Sequence, residues 1–194
     1  MNETFVEVVA ESRLMRRIAE LGKEISADYA GRRPVVLGVL NGCLPFIADL
    51  VRSMPGPMEI EFLSLTRFGE EGRVSIAMDT TTPLQGRHVL IVEDIVDTGL
   101  TLASLRRMIE IRDPASVATV ALLDKVPRRI IEIPIEYRGF EIGDEFLLGY
   151  GLDWEGQYRN LRSLWAVTDL SVLKRDPYAL NQETATTGEG FGAR

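Results

Sequence analysis

Apolar residues recur along this chain in two alternating rhythms. Leu14, Ile18, Leu21 and Ile25 follow three- and four-residue spacing, which predicts an amphipathic helix over residues 10–30, stopping near Gly31. Pro34 then opens the unbroken run Val35-Val36-Leu37-Gly38-Val39-Leu40, which suits a strand buried on both faces. Asn41-Gly42 marks a turn, and Phe46, Ile47, Leu50 and Val51 predict a second helix. Residues 58–65 read as a strand. Residues 66–86 are polar and glycine-containing and read as a long mobile loop or ribbon, of the length that serves as a lid. A strand at 88–92 ends in an acidic turn, and Leu102, Leu105, Met108 and Ile109 predict a helix over roughly 100–112. Residues 116–123 form another buried-type strand, with short strand-like pieces near 134–137, 146–150 and 164–168. This alternation predicts an α/β fold with a mainly parallel sheet. In such sheets ligands sit beyond the carboxyl ends of the strands.

A length of 194 residues fits one domain, expected over 1–172, with 173–194 as a flexible tail poor in apolar residues. The net charge of −7 gives no general basic footprint for nucleic acid. One cysteine, Cys43, excludes an internal disulfide and fits a reducing cytoplasm. No signal peptide is visible at the N-terminus, and no apolar run approaches the roughly 20 residues of a membrane span. The single histidine, His88, opens its strand away from the acidic turn and reads as surface or structural; Cys43 reads as an inert buried thiol.

The acidic turn carries the chemistry. In Val92-Glu93-Asp94-Ile95-Val96-Asp97-Thr98-Gly99-Leu100-Thr101 an apolar strand meets three carboxylates, a glycine and two hydroxyls immediately before a helix. Buried carboxylates cost several kcal/mol unless compensated, so this cluster marks an exposed working edge. Backbone N–H groups at the helix start form an anion site, strengthened by the helix dipole. Thr98 and Thr101 add hydroxyls, and Gly99 permits close approach. An ordinary helix cap is the plain alternative.

The string resembles the phosphoribosyl-pyrophosphate-binding motif of the type I phosphoribosyltransferases, and the wider match is to the hypoxanthine–guanine members. The resemblance covers roughly residues 5–170 and implies their fold: a mainly parallel sheet flanked by helices, with a small hood from the N-terminal and 140–172 segments. Leu40-Asn41-Gly42 is similar to the family's pyrophosphate loop, which carries a non-proline cis peptide. Lys125 matches the lysine that contacts the purine's exocyclic oxygen. The segment from Phe146 and Leu147 to Asp153 matches the base-stacking stretch and its metal-site aspartate, and Arg159 matches an arginine near pyrophosphate. The resemblance implies that Glu93 and Asp94 bind ribose hydroxyls directly or through Mg²⁺, that Asp97 is a general base toward the purine's N7, and that Asp97, Thr98, Gly99, Leu100 and Thr101 hold the 5′-phosphoribosyl group. The metal ligands so implied are Glu93, Asp94 and Asp153. The substrates so implied are phosphoribosyl pyrophosphate and a purine base, with no nucleic-acid or membrane partner, in a homodimer or homotetramer. From the residues alone, Lys125 reads as a solvated surface lysine and Phe146 as core, and a surface carboxylate is the plain alternative for Asp153.

Two departures stand out. The family's lid carries a Ser-Tyr pair, where this chain has Thr66-Arg67-Phe68-Gly69; Arg67 is the expected pyrophosphate contact and Phe68 the shield against water. Asn41 stands where vertebrate forms commonly have lysine. These leave room for a purine analogue such as a 7-deazapurine as the acceptor. A nucleotide-responsive regulator on the same fold is a further alternative, against which the negative charge argues.

Overall fold

The computed structural model describes residues 4–68 and 73–181. The elements in chain order are β1 (Phe5–Val9), α1 (Glu11–Asp28), β2 (Val35–Leu40), α2 (Leu44–Arg52), β3 (Glu59–Phe68), β4 (Arg73–Met78), β5 (His88–Val96), α3 (Leu100–Glu110), β6 (Ser116–Asp124), β7 (Tyr137–Glu141), β8 (Phe146–Leu148), β9 (Leu164–Val167) and α4 (Leu170–Arg175). A short 3-10 turn, Val126–Arg128, follows β6. The chain divides into two compact units, residues 12–144 and residues 1–11 with 145–194.

The larger unit holds a six-stranded sheet in the order β4-β3-β2-β5-β6-β7. Its pairings are parallel except β3 with β4, which form an antiparallel ribbon. The apolar runs of β2, β5 and β6 are Val-, Ile- and Leu-rich and buried, as both-face coverage requires. Leu37, Leu63, Val89, Ile91, Leu102, Leu105, Ile109 and Ala121 form one core cluster. The predicted face of α1 is buried throughout: Leu14, Ile18, Leu21 and Ile25 are at most 1% exposed. At roughly 1.5–3 kcal/mol per fully buried large aliphatic side chain, burial outweighs the weak intrinsic preference of an isolated helix.

The smaller unit holds the antiparallel sheet β1-β9-β8. Phe5, Leu148, Tyr158, Val167, Leu173 and Leu180 make its buried cluster. This corrects the expected tail: the chain stays packed as far as Asn181, because Leu173 and Leu180 are fully buried and the Tyr158 hydroxyl donates to the Pro177 carbonyl. Residues 182–194, the remainder of that expectation, lie outside the described residues. A second correction concerns β5, which runs to Val96 rather than stopping before the acidic pair; Ile95 and Val96 pair with Leu123 and Asp124. Among the described residues no helix is long and apolar enough to cross a membrane.

Candidate active site

The sheet order turns at one place. From β2 the chain moves outward to β3, whereas from β5 it moves the other way to β6 and β7. Such a switch point opens a crevice at the carboxyl ends of the two central strands. Register sharpens this. Pairing of β2 with β5 stops at Gly38 opposite Val92, while β5 continues against β6 to Val96 opposite Asp124. From Glu93 onward β5 therefore has a sheet neighbour on one side only, and the sheet divides where the acidic pair begins.

The turn after β2 faces this division. The Leu40–Asn41 peptide is cis, as the resemblance implies. Gly42 lies so near the acidic pair that a Cβ built there would sit 1.6 Å from Asp94 Oδ2 and 2.7 Å from Asp94 Cγ. No side chain larger than hydrogen fits without displacing the carboxylate. Asp94 Oδ1 accepts from the Ile95 N–H at 2.9 Å, which fixes its rotation. Glu93 is buried. Cys43, at the N-cap of α2, is fully buried and its thiol is pushed up to about 12, first by desolvation and then by the nearby carboxylates of Asp94 and Glu93. It is an inert neighbour, as expected for a buried thiol.

Beyond Val96 come Asp97, Thr98 and Gly99. Gly99 is the N-cap of α3 with φ +85°, a left-handed conformation that a side chain resists. A Cβ there would also meet the Ile131 carbonyl at 3.1 Å. The Leu100 N–H approaches Thr98 Oγ1 at 3.4 Å, and Leu100 and Thr101 form the first turn of α3. The loop thus presents a helix N-terminus with its hydroxyls, as an anion cradle requires. The Arg128 Nε donates to Asp97 Oδ1 at 2.6 Å.

Lys125 follows β6 directly. It is buried, which removes the reading of a solvated surface lysine, and its N–H donates to the Val96 carbonyl at 2.9 Å. The preceding Asp124 is 1% exposed and takes two bonds from Arg129 on Oδ1, at 3.0 and 2.7 Å, and an ion pair from Arg138 on Oδ2 at 2.8 Å. Arg128 and Arg129 were not read from the sequence. The signal available was the basic run Val126-Pro127-Arg128-Arg129 directly after a strand end.

The larger unit thus brings together Leu40, Asn41, Gly42, Glu93, Asp94, Asp97, Thr98, Gly99, Leu100, Thr101 and Lys125 at the ends of three adjacent strands. Arg67 and Phe68 lie on β3, their backbones paired with Val74 and Arg73; Gly69, the rest of the expected lid motif, lies outside the described residues. The return from this ribbon is anchored by Glu61, which accepts from the backbone and hydroxyl of both Thr81 and Thr82. His88 bonds Ser116 Oγ at 2.8 Å and meets the Tyr29 ring edge-on, a structural role.

The other expected residues lie in the smaller unit. Phe146 stands edge-on to Trp154 with centroids 5.5 Å apart, and Leu147 is buried in β8. Arg159 pairs with Asp153 Oδ1 at 2.7 Å and donates to the Gly151 carbonyl at 2.6 Å, while Asp153 Oδ2 accepts from the Gly156 N–H. The turn is tightly determined: Tyr150, Glu155 and Tyr158 all have positive φ.

Among the described residues no group of three or more His, Cys, Asp or Glu could hold a metal unaided. Glu93 and Asp94 are nevertheless hard oxygen donors of the kind Mg²⁺ takes together with substrate oxygens and water.

Comparison with known proteins fits this geometry. The family model described as phosphoribosyl transferase domain matches residues 7–155. A hypoxanthine-guanine phosphoribosyltransferase of Streptococcus pneumoniae is 39% identical over 176 residues, covering 89% of this chain and 94% of the relative. A hypoxanthine phosphoribosyltransferase of Haemophilus influenzae is 43% identical over 169 residues, covering 83% and 94%. The crystal structure of a hypoxanthine-guanine phosphoribosyltransferase from Bacillus anthracis superimposes with a TM-score of 0.83 at 36% identity, covering 86% of this chain and all of that one. A split parallel sheet with a cis turn, an acidic strand end and a helix N-terminus at its switch point is thus the frame of a phosphoribosyl-transferring fold, and the chain belongs to the phosphoribosyl transferase domain family.

Proposed function

We propose that the chain transfers a 5-phosphoribosyl group from phosphoribosyl pyrophosphate to hypoxanthine, guanine or both, releasing pyrophosphate and forming the purine nucleotide. The observation that carries this reading is the meeting, at one switch point, of the Leu40-Asn41-Gly42 turn, the Glu93-Asp94 pair, the N-terminus of α3 and Lys125.

The reaction forms a bond from the ribose anomeric carbon to a purine nitrogen as the bond to pyrophosphate oxygen breaks. Pyrophosphate leaves with the electron pair, and the base gives up a proton. Thr98, Gly99, Leu100 and Thr101 hold the 5′-phosphate on the helix N-terminus. Asn41 and Gly42 bring backbone against the pyrophosphate, with Arg159 and Arg67 as its cationic contacts. Glu93 and Asp94 orient the ribose hydroxyls and set negative charge beside the developing oxocarbenium carbon. Asp97 accepts the hydrogen of the purine N7 as general base. Lys125, a point charge, favours a 6-oxo over a 6-amino base, and Phe146 and Leu147 supply the stacking face. Glu93 and Asp94 would hold Mg²⁺, which neutralises and orients a departing pyrophosphate when bound, and Asp153 is read as the ligand of a second metal position.

The relatives named above carry hypoxanthine or hypoxanthine-guanine names, which gives the deazapurine alternative no support. The reading extends to a cytoplasmic homodimer or homotetramer acting on small molecules. Incubation with phosphoribosyl pyrophosphate, Mg²⁺ and each base, followed by mass spectrometry, tests it: a nucleotide product is expected from hypoxanthine, guanine or both, and no product from any 6-oxopurine would sink it.

A further inference from the structure

The segment after Lys125 is held at three points. The Lys125 N–H donates to the Val96 carbonyl, the Ile130 N–H donates to the Thr98 carbonyl at 3.0 Å, and the Arg129 guanidinium is locked onto buried Asp124. Between these fixed points stands Arg128, whose own N–H closes the short turn onto the Lys125 carbonyl at 2.9 Å. Its side chain reaches across to Asp97, with Nε 2.6 Å from Oδ1. Arg128 and Asp97 are about half exposed, at 47% and 46%. Pairs so exposed add little to stability, so holding the fold does not account for this one.

We infer that Arg128 is a positioning residue for Asp97, an inference that rests on the functional reading above. One oxygen of the carboxylate is taken by a directed N–H, which orients the other toward the purine N7. The same short turn begins at Lys125. It therefore sets the distance between the group that reads the 6-oxo oxygen and the group that reads N7, and a purine is fixed by both at once. Orientation of this kind appears in turnover rather than in donor binding, since small misplacements of a catalytic group are felt mainly in the transition state.

The test compares the wild type with Arg128→Gln, Arg128→Lys, Asp97→Asn and the Asp97→Asn/Arg128→Gln pair, measuring kcat, KM for phosphoribosyl pyrophosphate, and melting temperature. Arg128→Gln should lower kcat about 10- to 50-fold with KM for the donor within about threefold. Arg128→Lys, which restores charge and a donor without the rigid fork, should recover part of that loss. In the Asp97→Asn background the Gln substitution should change kcat by no more than about twofold, because residues acting through one another are not additive. A kcat for Arg128→Gln within twofold of wild type, or the same fold loss in both backgrounds, overturns the assignment. If the Gln variant does not fold, a lysine variant with unchanged kcat overturns it equally. A wild type inactive on every 6-oxopurine removes the functional reading and this role together, whereas an active wild type with an indifferent Arg128 removes this role alone.

Discussion

Asp97 and Asp124 stand at the ends of neighbouring parallel strands, and consecutive arginines on one short segment serve them. Their surroundings differ sharply. Asp124 is 1% exposed and shared by Arg129 and Arg138. Asp97 is about half exposed and held through one oxygen by Arg128. A buried carboxylate bonded through both oxygens by two guanidinium groups is closed to a substrate, and it fixes the segment instead. A carboxylate held by one oxygen at the crevice keeps the other for chemistry. The same residue pair, Asp with Arg, is thus an anchor in one place and an aiming device in the other, and burial decides which.

Removing the anchor should have the largest effect. Asp124→Ala leaves the largely buried Arg129 guanidinium without its partner and should cost about 3–5 kcal/mol of stability, read by urea denaturation; a change under 1 kcal/mol would erase the distinction from Asp97. Asp97→Asn should instead leave the unfolding midpoint nearly unchanged while reducing kcat by about 10²-fold or more. Gly42→Ala comes next. The backbone there tolerates alanine, and the clash falls on the Asp94 carboxylate alone, so turnover should drop about tenfold or more with little loss of stability. Lys125→Ala should weaken discrimination of 6-oxo from 6-amino bases about tenfold while sparing donor binding, measured by calorimetry.

The smallest effect separates both aspartates from the ordinary surface. Glu61 is held below its usual 4.5, chiefly by the Thr82 hydroxyl, and Asp79 below its usual 3.8, chiefly by its bond to Arg112. With folded values below unfolded ones, their stabilisation is complete above the unfolded values and disappears as pH falls through the folded ones. Melting temperature should therefore decline below about pH 4.5, and Glu61→Gln should make that decline shallower. An unchanged slope would show that Glu61 contributes nothing to it.

Most of this architecture is legible in the order of apolar runs. α1, β2, α2, β5, α3 and β6 each carry a periodicity that burial then rewards. β1 is not legible, because five residues paired with Leu164–Val167 gain their stability from a partner far along the chain. The end of β5 misleads for a different reason. Glu93 and Asp94 read as the close of a strand, yet ladder bonds are made by backbone, and Ile95 and Val96 continue them. Leu173 and Leu180 hide among charged and proline neighbours that suggest a tail. In the site, the acidic string was readable because carboxylates at the end of an apolar strand are costly to place without a purpose, whereas Lys125 was named through the resemblance and its burial comes from the fold. Arg128 and Arg129 were not, since a Pro-Arg-Arg run is common on surfaces and only folding shows that the two side chains diverge to separate carboxylates.

The closeness of Gly42 to Asp94 has a consequence for anyone who would alter this protein. The two positions share one volume, so they cannot be varied independently. Under selection for turnover, a library randomised at 42 alone should return glycine, and one randomised at 94 alone should return aspartate, because shortening loses the carboxylate and lengthening meets the backbone at 42. A methyl group at 42 becomes admissible only when 94 gives up its carboxylate, and the acidic pair then loses a member. Backbone space at one turn and charge at a neighbouring strand are therefore a single inherited trait, and they should be selected, lost or redesigned together.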